Sequence, residues 1–176
     1  MIRATLVGAL SLVLHAVSVS GVSAASAQTV ATSGDVAILQ TVEELTVTQD
    51  PETGARVERL SPPDSVVPGD MLRYTLTVTN PTAAPVEEAV LTLALPAEVV
   101  LLEDTATEGG AEAWRVTYSV DGGTSFAARN ALEVFDAETG VMRPALSDDI
   151  DTVRWEASTP LAPGGTSQVS LDGLLS

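Results

Sequence analysis

The chain has 176 residues, of which 24 are acidic and 8 basic, giving a formal net charge of −16. That charge opposes binding to nucleic acid and to anionic lipid headgroups, so neither partner class is expected. Every basic side chain is arginine, cysteine is absent, and the single histidine is His15. Beyond His15 the chain therefore cannot build a Ser/His/Asp or Cys/His nucleophile system, a His/Cys zinc site or a lysine Schiff base. No catalytic residue, cofactor site or metal site is assigned.

The first residues have the three parts of a secretory signal: a basic start at Arg3, an apolar stretch from Ala4 to Val19, and small residues ending in Ala25-Ser26-Ala27. Residues 1–27 are thus expected to be a cleavable signal peptide, removed before Gln28. Ser11, His15, Ser18, Ser20 and Gly21 interrupt a stretch already short of the ~20 apolar residues that a spanning helix needs. Loss of 27 residues leaves 149 with a net charge of −17, about one domain. No second stretch approaches spanning length, and no cysteine is present to carry a lipid, so no membrane insertion is expected after cleavage. A periplasmic or extracellular location follows.

Residues 28–34 are small and polar and read as a flexible leader to a single domain over 35–176. Asp35 to Thr48, with Val36, Ile38, Val42, Leu45 and Val47, predicts one long strand or two short ones. Asp50-Pro51-Glu52-Thr53-Gly54 is turn chemistry, and Ala55 to Leu60 returns as the second strand of a hairpin. After the break at Ser61-Pro62-Pro63-Asp64, the clearest strand runs from Met71 to Asn80. Its Leu72, Tyr74, Leu76 and Val78 alternate with Arg73, Thr75, Thr77 and Thr79, the pattern of a half-buried antiparallel strand.

Further strands are predicted at Ala89 to Leu95, Val99 to Leu102, Trp114 to Val120, Leu132 to Phe135, Val153 to Ala157 and Ser167 to Leu171. An acidic loop at Glu103 to Ala113 and a loop or hairpin at Asp136 to Pro144 separate some of them. Strands recurring about every 8–12 residues, with proline and glycine between, predict an all-β fold, an immunoglobulin-like antiparallel β-sandwich of about 7–9 strands. The six aromatic residues, Tyr74, Trp114, Tyr118, Phe126, Phe135 and Trp155, lie on or beside predicted strands and are expected in the core.

From Val67-Pro68-Gly69-Asp70 through Tyr74-Thr75 to Val78-Thr79-Asn80 the chain resembles the DUF11 family of prokaryotic cell-surface domains. Leu95-Pro96, Tyr118-Ser119-Val120-Asp121-Gly122-Gly123, Val153-Arg154-Trp155 and Leu161-Ala162-Pro163-Gly164-Gly165 extend the resemblance toward single-domain Gram-negative members. It implies an immunoglobulin-like fold at the cell surface or in the periplasm, and no catalytic residues.

Two motifs bear on chemistry. Ser119 to Phe126 fits the Asp-box pattern of sialidase propellers, which is chiefly a hairpin device: the aspartate caps turn amides and glycine supplies positive φ. The cluster Asp148, Asp149 and Asp151 offers hard oxygen donors for calcium, against its reading as a solvated turn. Paired carboxylates suffice for glycosidase chemistry, but with so few aromatics to grip a sugar no enzyme is expected. The expected function is a non-catalytic structural or protein-binding module of the cell envelope. The alternatives are a subunit that self-associates through edge strands, residues 35–48 donating a strand, or a calcium-dependent adhesin.

Overall fold

The computed structural model describes residues 28–33, 36–107 and 113–176. The expected export signal at residues 1–27 lies outside them. The described residues are all-β, eleven strands in three antiparallel sheets with two short 3-10 turns. Among them no helix is long and apolar enough to cross a membrane.

The largest sheet is built around β2 (Val36–Gln49), β4 (Met71–Thr79) and β11 (Thr166–Leu175). The alternation of β4 is realised in full: Leu72, Tyr74, Leu76 and Val78 are buried, and the residues between them half-buried. In register, Val78 lies beside Ile38 and Ser167, Leu76 beside Gln40 and Val169, and Tyr74 beside Val42 and Leu171. β6 (Val99–Leu101) closes one side of the sheet against the end of β11, where Gly173 lies opposite Leu101. A side chain at Gly173 would collide with Val99, so glycine here permits the close approach of the two strands.

The other side of the sheet is shared. β1 (Gln28–Ser33) pairs with residues 36–41 of β2, and β3 (Arg56–Ser61) with residues 44–49. Because Glu44 is opposite both Leu72 of β4 and Ser61 of β3, β3 runs along the edge of β2 that β4 leaves free. β1 lies within the segment expected as a leader and pairs with the strand that follows it.

In the second sheet β10 (Thr152–Ala157) lies between β5 (Val90–Ala94) and β7 (Trp114–Ser119). Trp155 stands between Leu91 and Val116 and is wholly buried, its indole N–H donating to the Thr107 carbonyl at 3.2 Å. The apolar side chains of both sheets belong to one core cluster. Tight turns hold the sheets together. Asn80, buried at the end of β4, donates to the carbonyls of Ala84, Leu161 and Ala162 and accepts from the amide and hydroxyl of Thr82. Its backbone also exchanges hydrogen bonds with Gly164 and Gly165.

The third sheet is a hairpin of β8 (Glu133–Asp136) and β9 (Val141–Pro144). It and β1 bring the strand number above the expected 7–9. The hairpin also corrects one expectation: Phe135, read as core, is 65% exposed. A four-residue strand with one face against the domain must turn the other outward, and here Val134 is the side chain that packs on the core.

Candidate interaction surface

Hairpin β8–β9 is held at its base by buried side chains, Arg129 and Asp149. Leu132 and Ala145 are buried, and the Ala145 amide donates to the Leu132 carbonyl at 3.0 Å. Arg129 donates to the Ala145 carbonyl at 2.6 Å. Arg143 makes two hydrogen bonds to Asp149, at 2.6 and 2.9 Å, and Asp149 also accepts the Leu146 amide at 2.7 Å. The Arg143 bonds, more than any other contact, hold the Asp149 carboxyl below its ordinary range. At the tip, Asp136 accepts the amides of Glu138 and Thr139, and Gly140 takes the positive φ of 74° that closes the turn.

This bracing fixes which side chains face outward. Phe135 and Met142 are cross-strand neighbours, and the pleat places Glu133 and Pro144 on the same face. Leu146 continues the parity of Met142 and Pro144 beyond the strand. Phe135, Met142 and Leu146 are 65%, 54% and 55% exposed, and Val141 near the tip is 57% exposed. Four of the eight exposed large apolar residues among the described ones lie on this hairpin or just after it, whereas Val57, Leu60, Val67 and Val90 are distributed over three other segments, and this concentration sets the surface apart. Sequence reasoning missed it, although the acids at both ends of β8 and the proline ending β9 are marks of strands outside a central sheet.

The acidic cluster weighed for calcium is differently disposed. Both Asp149 oxygens face Arg143, and Asp151 turns away to accept the Gly122 amide at 2.7 Å. Asp148 is exposed on the short 3-10 turn Ser147–Asp149. Among the described residues no three acidic side chains converge as a metal site would require.

The Asp-box segment forms a capped turn. Asp121 accepts the amides of Thr124 and Ser125 at 3.0 and 2.9 Å, the Ser119 hydroxyl at 2.8 Å and the Ser125 hydroxyl at 2.6 Å. These bonds, the Ser125 hydroxyl foremost, hold its carboxyl down to about 2. Gly122 and Gly123 supply φ values of 71° and 79°. Phe126 returns the chain over Arg154, the guanidinium lying 3.5 Å from the ring centre. Both carboxylate oxygens of Asp121 are thus used within the turn, an arrangement that shapes the loop.

Comparison with protein-family models, curated proteins and solved structures finds no match to this chain.

Proposed function

We propose that the chain is an exported, non-catalytic module of the cell envelope, periplasmic or at the surface, that binds a protein partner through hairpin β8–β9. The observation that carries this reading is the exposed row of Phe135, Met142 and Leu146 on a hairpin fixed from below. Exposing such side chains to water is unfavourable by about 1.5–3 kcal/mol each, relative to full burial. Rigid apolar anchors on a braced element are what a docking face requires. The signal-like residues 1–27 support export, and the residue types missing after His15 support a role in binding. We read the two main sheets and their shared core as an immunoglobulin-like sandwich, and the DUF11-like residues as its turns: the Val67 amide donates to Asp70 in Pro68-Gly69-Asp70, and Asn80 ties itself to Leu161–Gly165.

The test is photo-crosslinking in producing cells with a photoreactive residue in place of Phe135, combined with fractionation. A product beginning at Gln28, found outside the cytoplasm and forming discrete protein adducts at this position but not at Thr77 on β4, is the expected result. A cytoplasmic product, or no adduct, overturns the proposal.

A second reading has its own observation. β1 lies at a sheet edge and is paired with β2 alone among the described strands, so exchange of this strand between copies would give a polymer. Sizing over a wide concentration range tests it: assembly that disappears on deleting residues 28–33 supports exchange, and a monomer throughout rejects it.

A further inference from the structure

We propose that the segment docking on hairpin β8–β9 is cationic, with lysine or arginine flanking two or three apolar side chains; this rests on the hairpin being a docking face. The apolar row is bordered by carboxylates. Glu133 shares its face, Asp136 and Glu138 lie at the hairpin tip, and Asp148 follows Leu146. Of the nearby cations, Arg143 is committed to both oxygens of Asp149, and Arg129 is directed to the Ala145 carbonyl and to Glu103. Arg143 also acts on Asp136 and Asp148 from farther off, but the acids outnumber the cations and the border stays net negative.

A partner segment carrying positive charge gains on both counts, covering the apolar row while pairing with its border. The row from Met142 to Leu146 spans about 13 Å at the ordinary strand rise, room for four or five residues of extended chain. Phe135 supplies the rigid anchor, and Met142 an adaptable thioether that accommodates side chains of differing shape.

The same charges oppose the other occupants. Two copies meeting at this face bring Glu133, Asp136 and Glu138 of one against those of the other. Symmetric pairing along β8 sets Glu133 opposite Asp136 twice, and pairing along β9 meets Pro144, which has no N–H to donate. Anionic lipid and nucleic acid are repelled by the border as well as by the net charge.

The experiment uses residues 28–176 and three short synthetic peptides: alternating leucine and lysine, alternating serine and lysine, and alternating leucine and glutamate. Binding is followed by amide chemical-shift changes and by titration at several salt concentrations. The leucine–lysine peptide is expected to shift residues 133–146 selectively and to bind far better than the other two. Phe135→Ser with Met142→Ser should weaken it about tenfold or more. Glu133→Gln with Glu138→Gln should weaken it severalfold and flatten its salt dependence.

Shifts spread over the whole acidic surface, or affinity unchanged by Phe135→Ser with Met142→Ser, overturn the proposal. Equal binding of the leucine–glutamate peptide, or dimerisation through this face, does so too. The two readings fail separately: a neutral or acidic protein crosslinked at position 135 in cells sinks the cationic partner and keeps the docking face, whereas no adduct removes the docking face itself.

Discussion

Arg73 and Asp172 meet as register partners across β4 and β11, Nε to Oδ1 at 2.7 Å and a terminal nitrogen to Oδ2 at 2.8 Å. Asp172 is buried, Arg73 keeps 23% of its side chain exposed, and Glu58 of β3 reaches the same guanidinium at 3.1 Å. The hydrogen bonds to Asp172 are the main reason the Arg73 pKa is raised. Removing the carboxylate leaves a partly buried cation with Glu58 as its remaining partner. Asp172→Ala is expected to cost about 3 kcal/mol, the lower end for such pairs because Glu58 remains. Thermal unfolding should show Tm falling by roughly 6–12 °C. Arg73→Met with Asp172→Leu should recover most of the loss, since no charge is then left unpaired. A double variant as unstable as Asp172→Ala would show that packing, not the lost partner, sets the cost.

Asn80 satisfies three backbone carbonyls and two groups of Thr82 from a wholly buried position. Asn80→Ala should lower stability by about 3 kcal/mol or more, because carbonyls of two turns lose their donor together. Asn80→Asp is expected to be at least as harmful at neutral pH, placing a carboxylate against carbonyl oxygens. Denaturant unfolding measures both, and a loss confined to a few tenths of a kcal/mol would show that water replaces the amide.

The Asp121 turn gives a pH dependence of definite sign. Its carboxyl is lowered from 3.8 to about 2 by the bonds it accepts. A folded-state pKa below the unfolded one contributes stability that is complete above about pH 4 and is lost as pH falls toward 2. Asp121→Ala should therefore lower Tm at pH 7, and its gap from the natural chain should close over that interval. Asp136 and Asp149 are also held low, so both proteins lose stability in acid, and the difference between their melting curves is the informative quantity. A gap constant from pH 7 to pH 2 would remove the assigned role of the carboxylate.

Gln40 is 1% exposed on the β2 face that carries Ile38 and Val42, and neither its amide nitrogen nor its oxygen has a hydrogen-bond partner. A buried amide in that state opposes folding. Gln40→Met keeps length and removes the polar atoms, so it should stabilise by about 1–2 kcal/mol. Calorimetry should register a higher Tm; a lower one would mean that the amide is satisfied in solution.

Particular residues show how far local pattern reaches. Leu72 through Val78 announced both a strand and its buried face, because alternation is a property of the strand itself. Asp50–Gly54 and Gly122–Gly123 marked turns through residue types that turn backbones require. Phe135 was misread because alternation in a four-residue strand does not say which face meets the core. Asp148, Asp149 and Asp151 could be weighed as one site only because they are close in sequence, whereas Arg143 and Gly122 draw two of them in different directions.

By itself the amino-acid sequence determined the all-β character, the turn positions, the strong negative charge and the absence after His15 of histidine, lysine and cysteine. These are properties of residues and their immediate neighbours. Only the tertiary structure decided that Arg73 finds Asp172 across 99 positions of chain, and that β8–β9 holds Phe135 and Met142 outward. Burial and charge pairing are settled by segments remote in sequence that packing brings together, and no local pattern carries that information.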